Sequence, residues 1–456
     1  MLNKTFLSTV ACTTLILANM VVVPALLGAS IAQAQEVNGS HTSEPWDSEP
    51  KASERKTKRT PAMRSRVYDQ LARAQGLADE GKTAQAIEVL DTVKAKSGSM
   101  NSYEMAMMHN FYGFIYYQVE DYDQAIAAFE QVVEQQPIPE AFEQSTLFSL
   151  AQLHMMRANY DQTIHFLARW EKLQRGPLPA KNLLLKAQAM YQKKDYPAAS
   201  AYINEAISQV ENTELGFQVD ENWYVLQRAV YFELKQPEKV AAVLVKLVRL
   251  FNEPKYWLQL GGIYGELGEE LKQLAVMEAA QQQGYVSSAA DMFNLAQLYY
   301  YHQMPYKAAA LIQQGIDEGK LDRDLRNLKF LSQSLTLAKE NEKAIPLMLA
   351  AAALSEDGEL DAQLGQMYLN MQRWEKAIIA SKTALEKGGL RNEGTAHLVM
   401  GMAYFNDGNY QQSIEQLNKA QKHNSSRGMA QQWAKYVETQ RANYVRVASG
   451  EVASDT

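Results

Sequence analysis

Gly113-Phe-Ile-Tyr116-Tyr-Gln-Val-Glu-Asp-Tyr-Asp-Gln-Ala125-Ile-Ala-Ala-Phe129, closed by Pro137, is the stretch that decides the fold. A small residue is followed twelve positions later by another small residue, and four positions after that by a large apolar one. The spacing returns at Ala151, Thr163 and Leu167, and at Ala187, Ala199 and Ile203. It returns again at Ala296, Ala308 and Ile312, at Gly365, Ala377 and Ser381, and at Gly401, Ser413 and Leu417. The anchors Gly113, Ala151 and Ala187 lie 38 and 36 residues apart (151−113, 187−151). A period of about 34 residues or slightly more belongs to stacked helix–turn–helix units.

Outward from this stretch, a first unit runs from Val67 to Lys96, with Ala74, Ala86 and Leu90 in the three places. Less regular units surround Tyr231, Val240 and Leu244, then Trp257, Gly261, Tyr264 and Met277, then Ser332, Leu335, Ala344 and Met348. The reading predicts about ten units. The physical reason is packing: two antiparallel helices approach closely only where one presents Gly or Ala to the other. The Tyr three residues after the anchor and the large residue closing the pattern are expected to fill the space between neighbouring units. A final amphipathic stretch, Met429 to Val445, carries Trp433, Tyr436, Val437 and Tyr444 and is placed to cover the end of the stack.

The chain has 456 residues, a formal charge of −7 and one cysteine. Its pI near 5.7 argues against a nucleic-acid binder, which needs a basic face. Abundant Ala, Leu, Gln, Glu and Lys favour helix throughout. Residues 1–34 read as a secretory signal: Lys4 is the one charge before Glu36, Leu15 to Leu27 is apolar, and Ala32-Gln33-Ala34 has a cleavage-site form. Cleavage near Ala34 is expected. The alternatives are a retained anchor, against which Asn19 and Pro24 interrupt the apolar run, and lipidation at Cys12, whose preceding Thr9-Val10-Ala11 lacks the usual Leu. A cleaved chain would carry no cysteine, a charge of −8 (−7−1), and therefore no need of disulfides in an oxidising compartment. No later segment has the length and apolarity of a membrane span.

Residues 35–60 read as a flexible polar tether with Pro45 and Pro50, ending in a basic cluster of Arg55, Lys56, Lys58, Arg59, Arg64 and Arg66. This Arg55–Arg66 segment could meet phosphate head groups or an acidic partner, or be a solvated linker. Thr60-Pro61 reads as a helix start, with Thr as N-cap. Residues 61–447 form the predicted array and its cap, and residues 448–456 a polar tail.

No chemistry-bearing constellation emerges. The seven His residues form no metal-binding pair, and no cofactor is expected. His154 stands at the place of Tyr116 and reads as a packed imidazole; His109 and His397 lie four residues before Gly anchors, and His165 reads as surface. Gly261-Gly262-Ile263-Tyr264-Gly265 sits in a helix-period unit rather than between strand and helix, so a dinucleotide site is not expected. Asn38-Gly-Ser40 and Asn424-Ser-Ser426 match glycosylation sequons, without force in a bacterial protein.

Gly113, Tyr116, Ala125, Phe129 and Pro137, then Gly365, Tyr368 and Ala377, then Gly401, Tyr404 and Ser413, resemble the tetratricopeptide repeat. The resemblance covers roughly Val67 to Lys422 and is strongest in the first, second and last units. It implies an all-α, right-handed superhelical solenoid that binds peptides or proteins in a concave groove and carries no chemistry. By the same resemblance the groove is lined from the first helix of each unit, at positions flanking the small anchor. Carried over, these are Asn110, Phe114 and Tyr117; Phe148, Gln152 and Met155; Asn294, Gln297 and Tyr300; and Leu398, Met402 and Phe405. The Lys and Asn set that clamps a terminal carboxylate in some members is not evident.

A narrower resemblance lies in Glu54 to Arg64, running into Val67-Tyr68 and Leu71. With the leader and the array length it is similar to periplasmic repeat proteins that accompany TonB/ExbB/ExbD-type transport in marine gamma-proteobacteria. That implies an accessory of energy transduction to outer-membrane uptake, with envelope proteins as partners. The runner-up is a scaffold for outer-membrane protein or cell-wall assembly. An envelope glycan-cleaving enzyme with a helical-repeat body would need a catalytic region, and only 26 tether residues (60−35+1) and short tails lie outside the array.

Overall fold

Small residues at fixed intervals give hairpins of antiparallel helices. The computed structural model describes residues 61–212 and 218–448. Among them every regular element is helical, and they fall into two units that meet at Leu247 and Val248. The leader, the tether as far as Thr60 and the tail beyond Ala448 lie outside the described residues.

The N-terminal unit begins with α1 (Ser65–Asp79), α2 (Thr83–Lys94), α3 (Ser102–Gln118) and α4 (Tyr122–Glu134). It continues with α5 (Glu140–Met156), α6 (Tyr160–Glu171), α7 (Ala180–Gln192), α8 (Tyr196–Glu211), α9 (Glu221–Glu233) and α10 (Pro237–Phe251), within which the boundary falls. Its core starts with Leu71, Leu90, Met108 and Ile115 and passes to Phe129, Leu147, Leu150 and Leu167. Half-buried Tyr116 packs against both clusters and so fills the space between neighbouring hairpins. Burying one such Leu contributes roughly 2 kcal/mol.

The C-terminal unit holds α11 (Pro254–Glu266), α12 (Glu270–Gln282), α13 (Ala289–Tyr301), α14 (Pro305–Asp317), α15 (Leu325–Leu337) and α16 (Asn341–Leu354). Then come α17 (Glu359–Asn370), α18 (Trp374–Lys387), α19 (Glu393–Asn406), α20 (Tyr410–Ala420) and a longer last helix, α21 (Arg427–Ala448). Ala430, Ala434 and Val437 of α21 are buried in one cluster with Leu398 and Leu417.

The closing residue of the spacing does something more local than the sequence suggests. A methyl group added to Gly113 would come within 2.7 Å of the Phe129 ring, and one added to Gly401 within 2.7 Å of Leu417. Gly261 stands against Met277 and Gly365 against Ser381 in the same way. The large residue therefore sits on the anchor of its own hairpin, and the missing side chain is the room it occupies.

Each hairpin also turns through one left-handed residue. Gly81, Glu120, Ala158, Lys194, Lys235, Gly268, Gln303, Lys339, Gln372 and Gly408 all have positive φ. The next N–H donates to a carbonyl five residues back, as from Asp121 to Tyr116 (2.9 Å), Asn159 to His154 (2.8 Å) and Asn409 to Tyr404 (2.8 Å). This closure satisfies carbonyls at the end of the first helix and aims the chain into the second.

The first helix starts later than expected. Pro61 to Arg64 are not helical, and α1 opens at Ser65 with Arg64 extended (φ −78°, ψ 138°). The cause is a distant partner: the Arg64 backbone N–H donates to Glu104 Oε1 at 2.9 Å, and Asn101 Nδ2 donates to the Ala62 carbonyl at 3.0 Å. These bonds hold the entering chain against the start of α3.

Candidate functional site

A residue four before and one three after a helical position share its stripe. On α3 this places Asn110, Phe114 and Tyr117 together, all half-buried. Tyr117 meets the Tyr122 ring edge-on at 5.8 Å, and partial burial beside it pushes the Tyr117 hydroxyl pKa up. Phe148, Gln152 and Met155 form the matching stripe on α5, with Phe148 and Met155 resting on the core around Leu147 and Ala151. Both stripes thus offer rings and amides on a packed base.

In the C-terminal unit Gln297 and Tyr300 are half-buried on α13. The residue four before Gln297 is Phe293, which is 5% exposed and belongs to the core, whereas Asn294 is half-buried and lies about 100° round the helix from it. Phe293 stacks obliquely on Phe330 at 5.0 Å, and Phe330 meets Tyr300 at 5.5 Å. The Arg326 guanidinium lies 3.7 Å over the Phe293 ring. Phe293, Arg326 and Phe330 were not singled out from sequence. Counting the register strictly from Ala296 would have found the first.

The last set is corrected as well. Leu398 is 8% exposed, packed with Leu417 and Val437. Phe405 is flanked by Tyr436 at 5.3 Å and Trp433 at 6.0 Å, both from α21. Met402 is half-buried against the same cluster. The terminal helix covers this face, so Leu398 and Phe405 are packing residues rather than open lining.

Part of the basic segment is also committed. Arg64 Nε donates to Glu104 Oε1 at 2.8 Å, and Nη2 to Oε2 at 2.6 Å and to the Ser99 carbonyl at 2.7 Å. Glu104 is fully buried, and the Arg64 hydrogen bonds depress its pKa to about 2. The same carboxylate accepts from the Asn101 N–H at 3.0 Å, while Asn101 Oδ1 accepts from the Glu104 N–H at 2.9 Å, a closed capping box. Arg64 is therefore a structural clamp. Arg55, Lys56, Lys58 and Arg59 lie outside the described residues.

His154 is buried and stacks on Phe166 at 5.2 Å, as its place in the spacing predicts. Burial pushes its pKa down; Glu130, at 3.6 Å, is beyond hydrogen-bond reach and opposes the shift through its charge. His165 is exposed, and His397 Nδ1 bonds Gln416 Oε1 at 2.8 Å. Among the described residues no group of three His, Cys, Asp or Glu could hold a metal, and no helix is long and apolar enough to cross a membrane. Gly261 to Gly265 lie wholly within α11.

The family model of the tetratricopeptide repeat matches residues 71–137, the first two hairpins, and again residues 395–425, the last. Both segments are tetratricopeptide repeats. They are the units whose spacing is closest to the repeat pattern, and α5 to α8 and α11 to α18 pair successively in the same way. No curated protein matches this chain. Among solved structures, YrrB, described as a TPR protein with an unusual peptide-binding site, is 19% identical and covers 43% of this chain and 99% of its own, with a TM-score of 0.35. The C-terminal part of a TPR repeat-containing protein from Cytophaga hutchinsonii is 15% identical over 62% of this chain and 95% of its own, with a TM-score of 0.32. The Cut9–Hcn1 assembly of APC/C is 14% identical over 82% and 84%, with a TM-score of 0.28.

Proposed function

We propose that this tetratricopeptide-repeat chain is a non-enzymatic scaffold that holds protein or peptide partners on the first-helix face of its hairpins. The observation that carries the reading is the repeated stripe of half-buried amides and rings: Asn110, Phe114 and Tyr117, then Phe148, Gln152 and Met155, then Gln297 and Tyr300. Amides pair the backbone of an extended segment, and rings cover its apolar side chains. Tetratricopeptide-repeat proteins are generally non-catalytic scaffolds, which agrees with this division of labour.

The finer assignment is to the periplasm, as an accessory of TonB/ExbB/ExbD-type energy transduction for outer-membrane uptake. Its support is the apolar leader ending near Ala34 and the resemblance of Glu54 to Arg64 and the residues that follow. The test is photocrosslinking in intact cells from Tyr117 and Tyr300. Capture of motor or receptor components is expected. Capture of assembly or cell-wall proteins would move the assignment to the envelope-assembly scaffold. Silence at both positions with capture from Arg59 would refute the first-helix face as the working surface.

A further inference from the structure

Two cations at the start of the array are not explained by packing. Arg66 and Lys96 are exposed and line a cavity of about 200 Å³ at the open end of the first hairpin, where the start of α1 meets the end of α2. Arg64 lines it too, its guanidinium fixed by Glu104 through Nε and Nη2. Among the described residues no carboxylate lines it, and Glu104, which balances Arg64, is wholly buried. Like charges gathered in a concavity destabilise it when empty and raise its positive potential. The rest of the lining is part apolar, from Val67, Val93 and Met100, and part uncharged polar, from Gln70, Thr92 and Ser99.

We infer that this cavity binds an acidic peptide segment, a carboxylate going to Arg66 and Lys96 and a neighbouring apolar side chain to Val67, Val93 and Met100. The mixed lining favours this ligand over a lipid head group. A head group is polar throughout and leaves its hydrocarbon in the bilayer, so it would leave the apolar part of the lining unused. Arg64 supplies a preset guanidinium edge that loses little rotamer freedom on binding. The site lies apart from the Tyr117 stripe and does not depend on it.

The experiment titrates the purified protein into a short fluorescein-labelled peptide of alternating Glu and Leu, followed by anisotropy. Matched Glu/Ser and Lys/Leu peptides are the comparison. The Glu/Leu peptide is expected to bind tightest, and added salt to weaken it. Arg66→Ala and Lys96→Ala should each weaken binding about fivefold, the scale of one charge contact in a partly desolvated site. Arg73→Ala, exposed on α1 but outside the cavity, should leave it unchanged. Both cavity cations are exposed, so circular dichroism of the variants should match the parent. Binding by the Arg66 and Lys96 variants as tight as by the parent protein overturns the proposal. So does failure of the peptide to bind while phosphatidylcholine–phosphatidylglycerol vesicles capture the protein through Arg66 and Lys96, which would make the cavity a head-group site. Silent crosslinks at Tyr117 would leave this result untouched.

Discussion

Replacing Gly113 by Ala tests whether the anchor is small because of packing or by accident. The new methyl would stand 2.7, 2.8 and 2.9 Å from three atoms of the Phe129 ring. Carbon atoms in cores rest about 3.5–4.0 Å apart, so the overlap is about 1 Å. A rigid ring cannot bend away as a Met side chain can, and overpacking of this kind costs about 1–3 kcal/mol. Ala returns about 1 kcal/mol through its better helix propensity. Gly76, within α1, has nothing within 4 Å of the same added methyl and reports the propensity gain alone. The steric effect is therefore the difference between the two substitutions, about 1–3 kcal/mol in favour of Gly76→Ala. Urea unfolding followed by far-UV circular dichroism would measure it, with the slope checked so that loss of cooperativity is not read as stability. Phe129→Leu should relieve the clash, giving a coupling of about 1 kcal/mol or more in the double-mutant cycle. Gly113→Ala as stabilising as Gly76→Ala, with no coupling to Phe129, would refute the packing account.

Further outcomes follow from the turns and from the clamp. Ala158→Gly, at φ 57°, should stabilise the protein by about 0.5–1 kcal/mol in thermal unfolding, because an L-residue strains there, while Gly408→Ala, at φ 81°, should cost about as much. Glu104 has its pKa lowered from 4.5 to about 2 by Arg64, so its contribution is present above pH 4.5 and is lost as pH falls toward 2. Glu104→Gln should flatten the stability profile across that window, measured by urea midpoints at stepped pH.

The hairpin plan was legible because it rests on residues a fixed distance apart in the chain, and Gly113, Ala125 and Phe129 meet inside one hairpin. The left-handed turn was less legible. Gly81, Gly268 and Gly408 mark it, but Lys194 and Glu120 occupy it elsewhere and carry no signal. The start of α1 was misread because Thr60-Pro61 is a sound local cap signal, whereas the deciding contact joins Arg64 to Glu104 across 40 residues. The candidate face suffered from the same limit at its last stripe. Helical spacing placed Leu398 and Phe405 correctly on one side of α19, but nothing local says that α21 will lie over that side.

Two serines show how much the place within a hairpin matters. Ser413 stands twelve residues after Gly401, and its buried hydroxyl donates to the Gly401 carbonyl at 2.7 Å, tying the second helix to the first. Ser381 closes the Gly365 hairpin where other hairpins carry Phe129 or Leu417, and its buried hydroxyl has no partner. Ser→Ala removes the same oxygen and gains the same helix propensity at both sites, roughly 0.5 kcal/mol. At Ser413 it also loses a hydrogen bond worth about 1 kcal/mol, and at Ser381 it removes an unsatisfied buried group costing about 1–3 kcal/mol. Ser381→Ala should therefore raise stability, Ser413→Ala should leave it flat or lower it, and the gap between them should be about 2 kcal/mol or more. Both serines are helical and fully buried, so exposure and propensity cancel in the comparison. Equal midpoints for the two variants would mean that the Ser413 bond adds nothing and that the bare surface of Gly365 is matched by the Ser381 hydroxyl after all.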